Sequence, residues 1–265
     1  MSGAARPYLS AYGLLQTAKV FNRSALVWEP GDERVVVLAP HMDDEVIGCG
    51  GTLARHVARG ADVTVVFLTD GGSGGIPSAE DQALGLPMTA IRKREAQRAL
   101  AVLGIEKIEF LDAEDGRLGA DPRTSARLRE LLLRIRPQLV YLPFFLEQHP
   151  DHEAANPLLG AAVEGTDLDF RCVSYEVWTP LFPNCFVRID DTLELKRRAL
   201  EQYGSQLVDA NYLHTSLGLS AFRSNAFLGR DCRFAEAFCV HSVRQYLELY
   251  RSVAHPGAAP GPAST

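Results

Sequence analysis

The chain has no CxxC pair and too few cysteines for a disulfide framework. Its five, Cys49, Cys172, Cys185, Cys232 and Cys239, are scattered along 265 residues. That excludes a stapled scaffold and leaves reduced, core-filling thiols. No run approaches the roughly 20 apolar residues that a membrane-crossing helix needs. The opening MSGAARPYLSAYGLL lacks a basic start followed by a continuous apolar stretch, so no leader is expected and a cytoplasmic location is the default. Positive charge is also short. Lys plus Arg 27 against Asp plus Glu 33 gives −6, which offers no general field for nucleic acid or an anionic membrane and leaves Arg92-Lys93-Arg94 as a local basic stretch. Neither an internal repeat nor a compositional break asks for a second domain. Residues 1–250 are expected to form one α/β domain, and 251–265, rich in Pro, Gly and Ala, a flexible tail. With 46% hydrophobic and 23% charged residues, the chain has the material for a sizeable core.

Short apolar runs alternate with helical periodicity. Arg34 to Ala39 (RVVVLA) suits a buried parallel strand closed by Pro40. Val46, Cys49 or Gly50, Leu53 and Val57 then recur at helical spacing up to Gly60. Asp62 to Leu68 is a second strand, followed by the Gly, Ser and acidic loop TDGGSGGIPSAED. Thr89 is expected to cap a helix that stops near Gly104, Lys107 to Leu111 to form a strand, Asp121-Pro122 to open a helix reaching Ile135, and Gln138 to Leu142 to form the next strand. Four strands separated by helices give βα units, hence a Rossmann-like three-layer sandwich with a mostly parallel central sheet. A helix should follow Asp151 toward Val163. Strand-like segments come at Arg171 to Trp178 and Asn184 to Ile189, then a helix opened by Asp190 or Asp191 that carries Leu193, Lys196, Leu200 and Tyr203. Residues 205–250 carry no clear period.

Two clusters carry chemistry. His41-Met42-Asp43-Asp44-Glu45 stands where a buried strand becomes a helix, and ligands of open α/β sheets bind beyond strand carboxyl ends. An acidic first turn suits the helix dipole, which explains the three acids but not His41. The second cluster, Gln148-His149-Pro150-Asp151-His152-Glu153, also follows a strand and opens a helix. A parallel sheet brings both clusters to one face. Imidazole and carboxylate donors suit zinc or a similar divalent ion, and three protein ligands with one open position are what catalytic zinc requires. Gly48, Gly50 and Gly51 do not form GxGxxG and read as sites of close helix approach, with Cys49 in the core. Trp178 and Phe182 read as packing residues or as an apolar wall.

Taken together, PHMDDEVIGCGGTLA, the RKREA segment ending in LG, and HPDHEAA resemble the successive motifs of the PIG-L or LmbE-like zinc-dependent N-acetylglucosaminyl deacetylases. The resemblance covers about residues 34–240; SYEVWTP and AEAF contribute less than the paired PHxDDE and HPDH. It implies that His41, Asp44 and His152 bind one zinc ion, that Asp43 is the general base, and that His149 acts in its charged form as acid or electrostatic stabiliser. It further implies that Asp151 orients a histidine and that Arg92, with Glu95, contacts substrate. Asp70 and Asp115 follow strands on the same face and read as pocket-lining residues, Asp115 toward sugar hydroxyls, with capped or solvated turns as the plainer alternative. There are two departures. Met42 stands where the family usually has Pro, and Glu147 where some members have a Tyr that stabilises the oxyanion. The implied activity is removal of an N-acetyl group from an N-acetylglucosamine-type sugar or glycoconjugate, a small-molecule substrate with no nucleic-acid or membrane partner. A homo-oligomer is compatible with this. The alternatives are an amidase acting on a thiol-sugar conjugate and a non-catalytic carbohydrate-binding protein.

Overall fold

A computed structural model of the protein describes residues 26–254, apart from 209 and 229. The amino-terminal reading and the tail from residue 255 lie outside the described residues. In chain order the elements are β1 (Leu26–Val27), β2 (Arg34–Ala39), α1 (Asp44–Ala58), β3 (Asp62–Thr69), α2 (Ala79–Ala83), α3 (Met88–Leu103), β4 (Lys107–Ala113), α4 (Pro122–Ile135), β5 (Leu139–Pro143), α5 (Pro150–Val163), β6 (Arg171–Tyr175), β7 (Cys185–Arg188), α6 (Leu193–Leu200), α7 (Gly204–Leu207), α8 (Tyr212–Phe227), β8 (Ala235–Ser242) and α9 (Val243–Ala254).

The sheet runs β1-β7-β8-β6-β5-β2-β3-β4, parallel except where β8 pairs with β6 and β7. β2 reads as unbroken hydrophobicity because both its faces are covered. Val35, Val37 and Ala39 pack with Val46, Leu53, Ala99 and Leu200 of α1, α3 and α6, whereas Val36 and Leu38 pack with Leu128, Leu132, Leu158 and Tyr246 of α4, α5 and α9. This is the expected three-layer sandwich. The five cysteines are free and buried.

Several boundaries differ from expectation. α3 starts one residue before Thr89, with Pro87 at its N-cap, while Gly104 closes it in the left-handed conformation at φ 77°. β4 continues past Leu111 to Ala113. β6 stops at Tyr175 rather than Trp178, because the next N–H groups turn to a side chain: Val177, Trp178 and Thr179 all donate to Glu147. Neither Asp190 nor Asp191 opens α6. Asp190 accepts from the N–H of Arg233 and Asp191 pairs with Arg55, so Thr192 takes the N-cap, its hydroxyl donating to Gly51 O at 2.8 Å. Tyr203 lies beyond α6, at the start of α7. Arg251 to Ala254, expected in the tail, form the last turn of α9.

The glycines of α1 answer a steric need. A Cβ at Gly48 would lie 2.3 Å from the Tyr175 ring, and one at Gly51 2.8 Å from Ile189. Tyr175 cannot withdraw freely, since its hydroxyl donates to Leu38 O inside the sheet. Gly48→Ala is therefore expected to destabilise the fold by about 1–3 kcal/mol, as overpacked cores do. Denaturant unfolding measures this, and an unchanged midpoint contradicts the close packing.

Candidate metal centre

β2 delivers the first cluster. Pro40 O accepts both the N–H and the hydroxyl of Thr69 at the end of β3, after which the chain turns into α1. Asp43 makes that turn at φ 148°, ψ −26°, a strained backbone for a residue with a side chain. Three contacts hold it. Its N–H donates to Glu45 Oε2 (3.1 Å), Arg92 Nη2 donates to Met42 O (2.7 Å), and the same guanidinium stands 3.4 Å from Asp43 Oδ1. At Met42, where a proline was absent, the Arg92 bond to the carbonyl supplies the fixed geometry. Tyr203 donates its hydroxyl to Glu45 Oε1, and burial pushes the Glu45 carboxyl up to about 8.

The second cluster arrives from β5 and α5. Three donor atoms converge: His41 Nδ1 is 3.4 Å from Asp44 Oδ2, His152 Nε2 is 3.1 Å from the same oxygen, and the two nitrogens are 3.3 Å apart. A tetrahedral ion with bonds of about 2.0–2.1 Å separates its ligands by roughly 3.3–3.4 Å, so the spacing fits such an ion. The remaining ring nitrogens face carboxylates. His41 Nε2 lies 3.0 Å from Asp151 Oδ2 and 3.2 Å from Asp115 Oδ1, and His152 Nδ1 lies 3.6 Å from Glu147 Oε2. Asp151 is fixed in turn by the N–H groups of Gly116 and Leu118. These carboxylates hold the two imidazole rings from behind, as outer-shell partners of metal-binding histidines do.

Charge supports the same reading. Burial opposes a proton on His41, but bonds to Asp115, Asp151 and Asp44 override it and bring that ring up to about 12. Burial likewise opposes protonation of His152, and Asp44 and Glu147 hold it up to about 9. Burial would raise Asp44, yet His152 and His41 keep its carboxyl well below the usual range. Two imidazolium charges thus sit where one divalent cation would balance the same carboxylates. The cluster is a His/Asp centre able to hold a metal ion.

His149 corrects one expectation. It caps α5, its Nδ1 accepting the N–H of Asp151 at 3.2 Å, with its ring 4.6 Å from that of His41 and 5.0 Å from that of His152. A ring whose Nδ1 accepts is the neutral tautomer with its proton on Nε2. Burial and the two neighbouring histidines push its pKa down, so the charged form is disfavoured and a neutral Nε2–H donor is presented instead.

The other named residues divide. Arg92 is buried, its guanidinium on Met42 O and beside Asp43. Glu95 accepts from the N–H and hydroxyl of Ser205 and anchors α7. Asp70 accepts from Gly72 N and Asp115 N, which is the capped-turn reading, and Asp115 has one oxygen on His41 and the other on Ser73 N. Asp115 therefore supports His41. Glu147, Glu45 and Tyr203 were not among the site residues read from sequence. Glu45 left a signal as the last acid of the first cluster and Glu147 as the odd residue in a motif position, whereas Tyr203 left none.

Burial pushes the Asp43 carboxyl up to about 7 while Arg92 pulls the other way. Arg92→Ala is expected to lower kcat/KM about 10²-fold through misplacement of Asp43, with metal content retained. The acid limb of its pH profile should move to higher pH, because the lost cation favoured the ionised carboxylate. Unchanged constants and an unchanged profile contradict this role.

The family model described as PIG-L: GlcNAc-PI de-N-acetylase matches residues 36–163. The chain is 30% identical over 190 residues to the diacetylchitobiose deacetylase of Thermococcus kodakarensis, covering 66% of this chain and 70% of that one. It is 35% identical over 179 residues to the 1D-myo-inositol 2-acetamido-2-deoxy-alpha-D-glucopyranoside deacetylase of Rhodococcus erythropolis, covering 57% of this chain and 60% of that one. Among solved structures, the 4-carboxy-2-hydroxymuconate hydratase of Pseudomonas putida superposes with a TM-score of 0.65 at 25% identity, over 80% of this chain and 96% of that one. One architecture hosts different reactions, so the reaction is read from the site.

Proposed function

This chain belongs to the PIG-L family, and from that membership and the centre above we propose that it is a zinc-dependent hydrolase that removes the N-acetyl group from an N-acetylglucosamine-type sugar or glycoconjugate. The observation that carries the proposal is the triad of donor atoms spaced 3.1–3.4 Å apart beside the strained, buried Asp43. Both named relatives are deacetylases of 2-acetamido sugars that bear a second ring. No helix among the described residues is long and apolar enough to cross a membrane, and the proposed setting is the cytoplasm.

His41 Nδ1, Asp44 Oδ2 and His152 Nε2 would hold the ion. When bound, zinc supplies Lewis acidity, making water acidic near neutrality and polarising a carbonyl oxygen. Asp43 accepts the proton of the attacking water as its oxygen bonds to the acyl carbon, and Arg92 keeps the carboxylate aimed. His149 donates its Nε2–H to the oxygen on which negative charge develops, the task that Glu147, an acceptor, cannot perform. Asp43 then returns its proton to the nitrogen as the C–N bond breaks, and acetate and a free amine leave. Sugar binding alone gives no use for a strained base beside three ligands, which disfavours the non-catalytic reading.

The test is a panel of N-acetylated sugars and conjugates, including thiol conjugates, incubated with zinc-loaded protein and assayed for amine and acetate in equal amounts. Stoichiometric release from an acetamido sugar is the expected result. Release from none of them contradicts the proposal.

A further inference from the structure

α1 is two helices joined end to end. Cys49, at φ −146° and ψ 15°, breaks it between a one-turn segment, Asp44 to Gly48, and the longer part that runs to Ala58. The short segment begins with Asp44 and follows directly on Asp43. A single turn does not hold itself, because helix nucleation is unfavourable, so its orientation is set by what grips its two ends. The amino end is held at Glu45 and Arg92. The carboxyl end is held from outside α1. In an unbroken helix the N–H groups of Gly51 and Thr52 would reach back to the carbonyls of Ile47 and Gly48. Here both donate to Glu236 of β8, Gly51 to Oε1 at 3.0 Å and Thr52 to Oε2 at 2.7 Å, and the Thr52 hydroxyl adds a third bond at 2.6 Å. Ile47 O accepts from Lys196 Nζ of α6 at 2.9 Å and from the Ser216 hydroxyl of α8 at 3.1 Å. Lys196 Nζ and Glu236 Oε1 meet at 2.7 Å, their side chains 1% and 2% exposed.

The ion pair thus stands in the break, the cation on the carbonyl of the short segment and the carboxylate on the N–H groups of the long one. Stability alone is a poor reason for it, because desolvation offsets the attraction of a buried pair. What it adds is a fixed bridge across a discontinuity. Ile47 carries that bridge to the centre, since its N–H donates to Asp43 O at 2.9 Å while its carbonyl is gripped by Lys196 and Ser216. We propose, on the metal-dependent deacetylase reading above, that Lys196 and Glu236, with Ser216, are positioning residues. They fix the break in α1, and so hold Asp44 at the spacing an ion requires and Asp43 beside it. They act through Ile47, Gly51 and Thr52 and not on the ion.

The test measures zinc affinity by chelator competition, thermal melts, and kcat and KM at saturating zinc on the acetamido sugar that the panel above identifies. Wild type is compared with Ser216→Ala and with the double variant Lys196→Met/Glu236→Gln, which removes both charges so that neither is left buried and unpaired. The double variant is expected to bind zinc about tenfold more weakly and, once saturated, to turn over about tenfold more slowly. Its KM should stay within about twofold, because the displaced groups are a metal ligand and the base. Ser216→Ala, which removes one of two donors to Ile47 O, should weaken zinc binding about threefold. A lower melting temperature with wild-type zinc affinity and kcat marks a purely structural pair and overturns the proposal, as does a loss confined to KM. If the double variant does not fold, Ser216→Ala decides: weakened zinc binding supports the positioning role and wild-type affinity overturns it. If no sugar is hydrolysed, the zinc constants still decide, so the deacetylase reading can fail while the positioning role stands.

Discussion

Asp43→Asn is expected to lower kcat by about 10²–10⁴ while the protein keeps its fold and its metal, because an amide of the same shape cannot take a proton from water. The change is nearly isosteric, and two of the three contacts that fix the turn do not involve the Asp43 carboxyl: Glu45 holds the Asp43 N–H and Arg92 holds the Met42 carbonyl. The wild-type rate should fall as pH drops through the pKa of this carboxyl, since only the ionised form is a base. In the absence of metal, burial pushes that value up to about 7 against the pull of Arg92, and a bound cation would lower it further by the same Coulomb attraction. The acid limb should disappear from the residual activity of Asp43→Asn. Rate profiles from pH 4 to 9 on both proteins check this, and a mutant that keeps the wild-type acid limb contradicts the assignment.

Removal of the metal is expected to destabilise the protein more as pH rises. In the metal-free state His41, up to about 12, and His152, up to about 9, gain protons relative to an ordinary value of 6.5. A group whose pKa is raised by folding contributes stability in full below its unfolded value, and that contribution is lost as pH rises through the folded one. The metal-free protein should therefore weaken above pH 6.5, with the His152 share gone past about pH 9. The metal competes with the same protons, so its affinity increases over that range. At a free-metal concentration a thousandfold above Kd, binding stabilises by about 4 kcal/mol. Thermal melts with zinc and with chelator at pH 6, 7.5 and 9 check the trend. A gap that narrows with pH contradicts the placement of the ion among these histidines.

Much of this was legible because the motifs are local. Pro40 to Glu45 and Gln148 to Glu153 each span one strand-to-helix junction, and parallel topology alone brings such junctions to one edge. The supporting residues were hidden because their contacts are long in sequence: Tyr203 reaches Glu45 across 158 positions, and Glu147 gathers the N–H groups of 177–179 while facing His152. Only the resemblance singled Arg92 out, as a substrate contact, because its two basic neighbours mask it in a local reading; of the three it is Arg92 that reaches Met42 O and Asp43, while Lys93 and Arg94 pair with Asp112 and Asp81. α8 showed no apolar period because the side it buries carries Ser216, Ser220, Arg223 and Ser224, with Arg223 paired to Glu176. β8 enters antiparallel between β6 and β7, a pairing that no local pattern announces.

On the proposed mechanism adjacent carboxylates divide the labour, Asp44 binding the ion and Asp43 moving the proton. Zinc stoichiometry and deacetylation rate, measured on the same preparations of Asp43→Asn and Asp44→Asn, test it most directly. The expected result is near-stoichiometric zinc with a depressed rate in Asp43→Asn, and loss of both zinc and rate in Asp44→Asn. A zinc-loaded Asp43→Asn with full activity, or retention of zinc by Asp44→Asn together with its loss from Asp43→Asn, would contradict it.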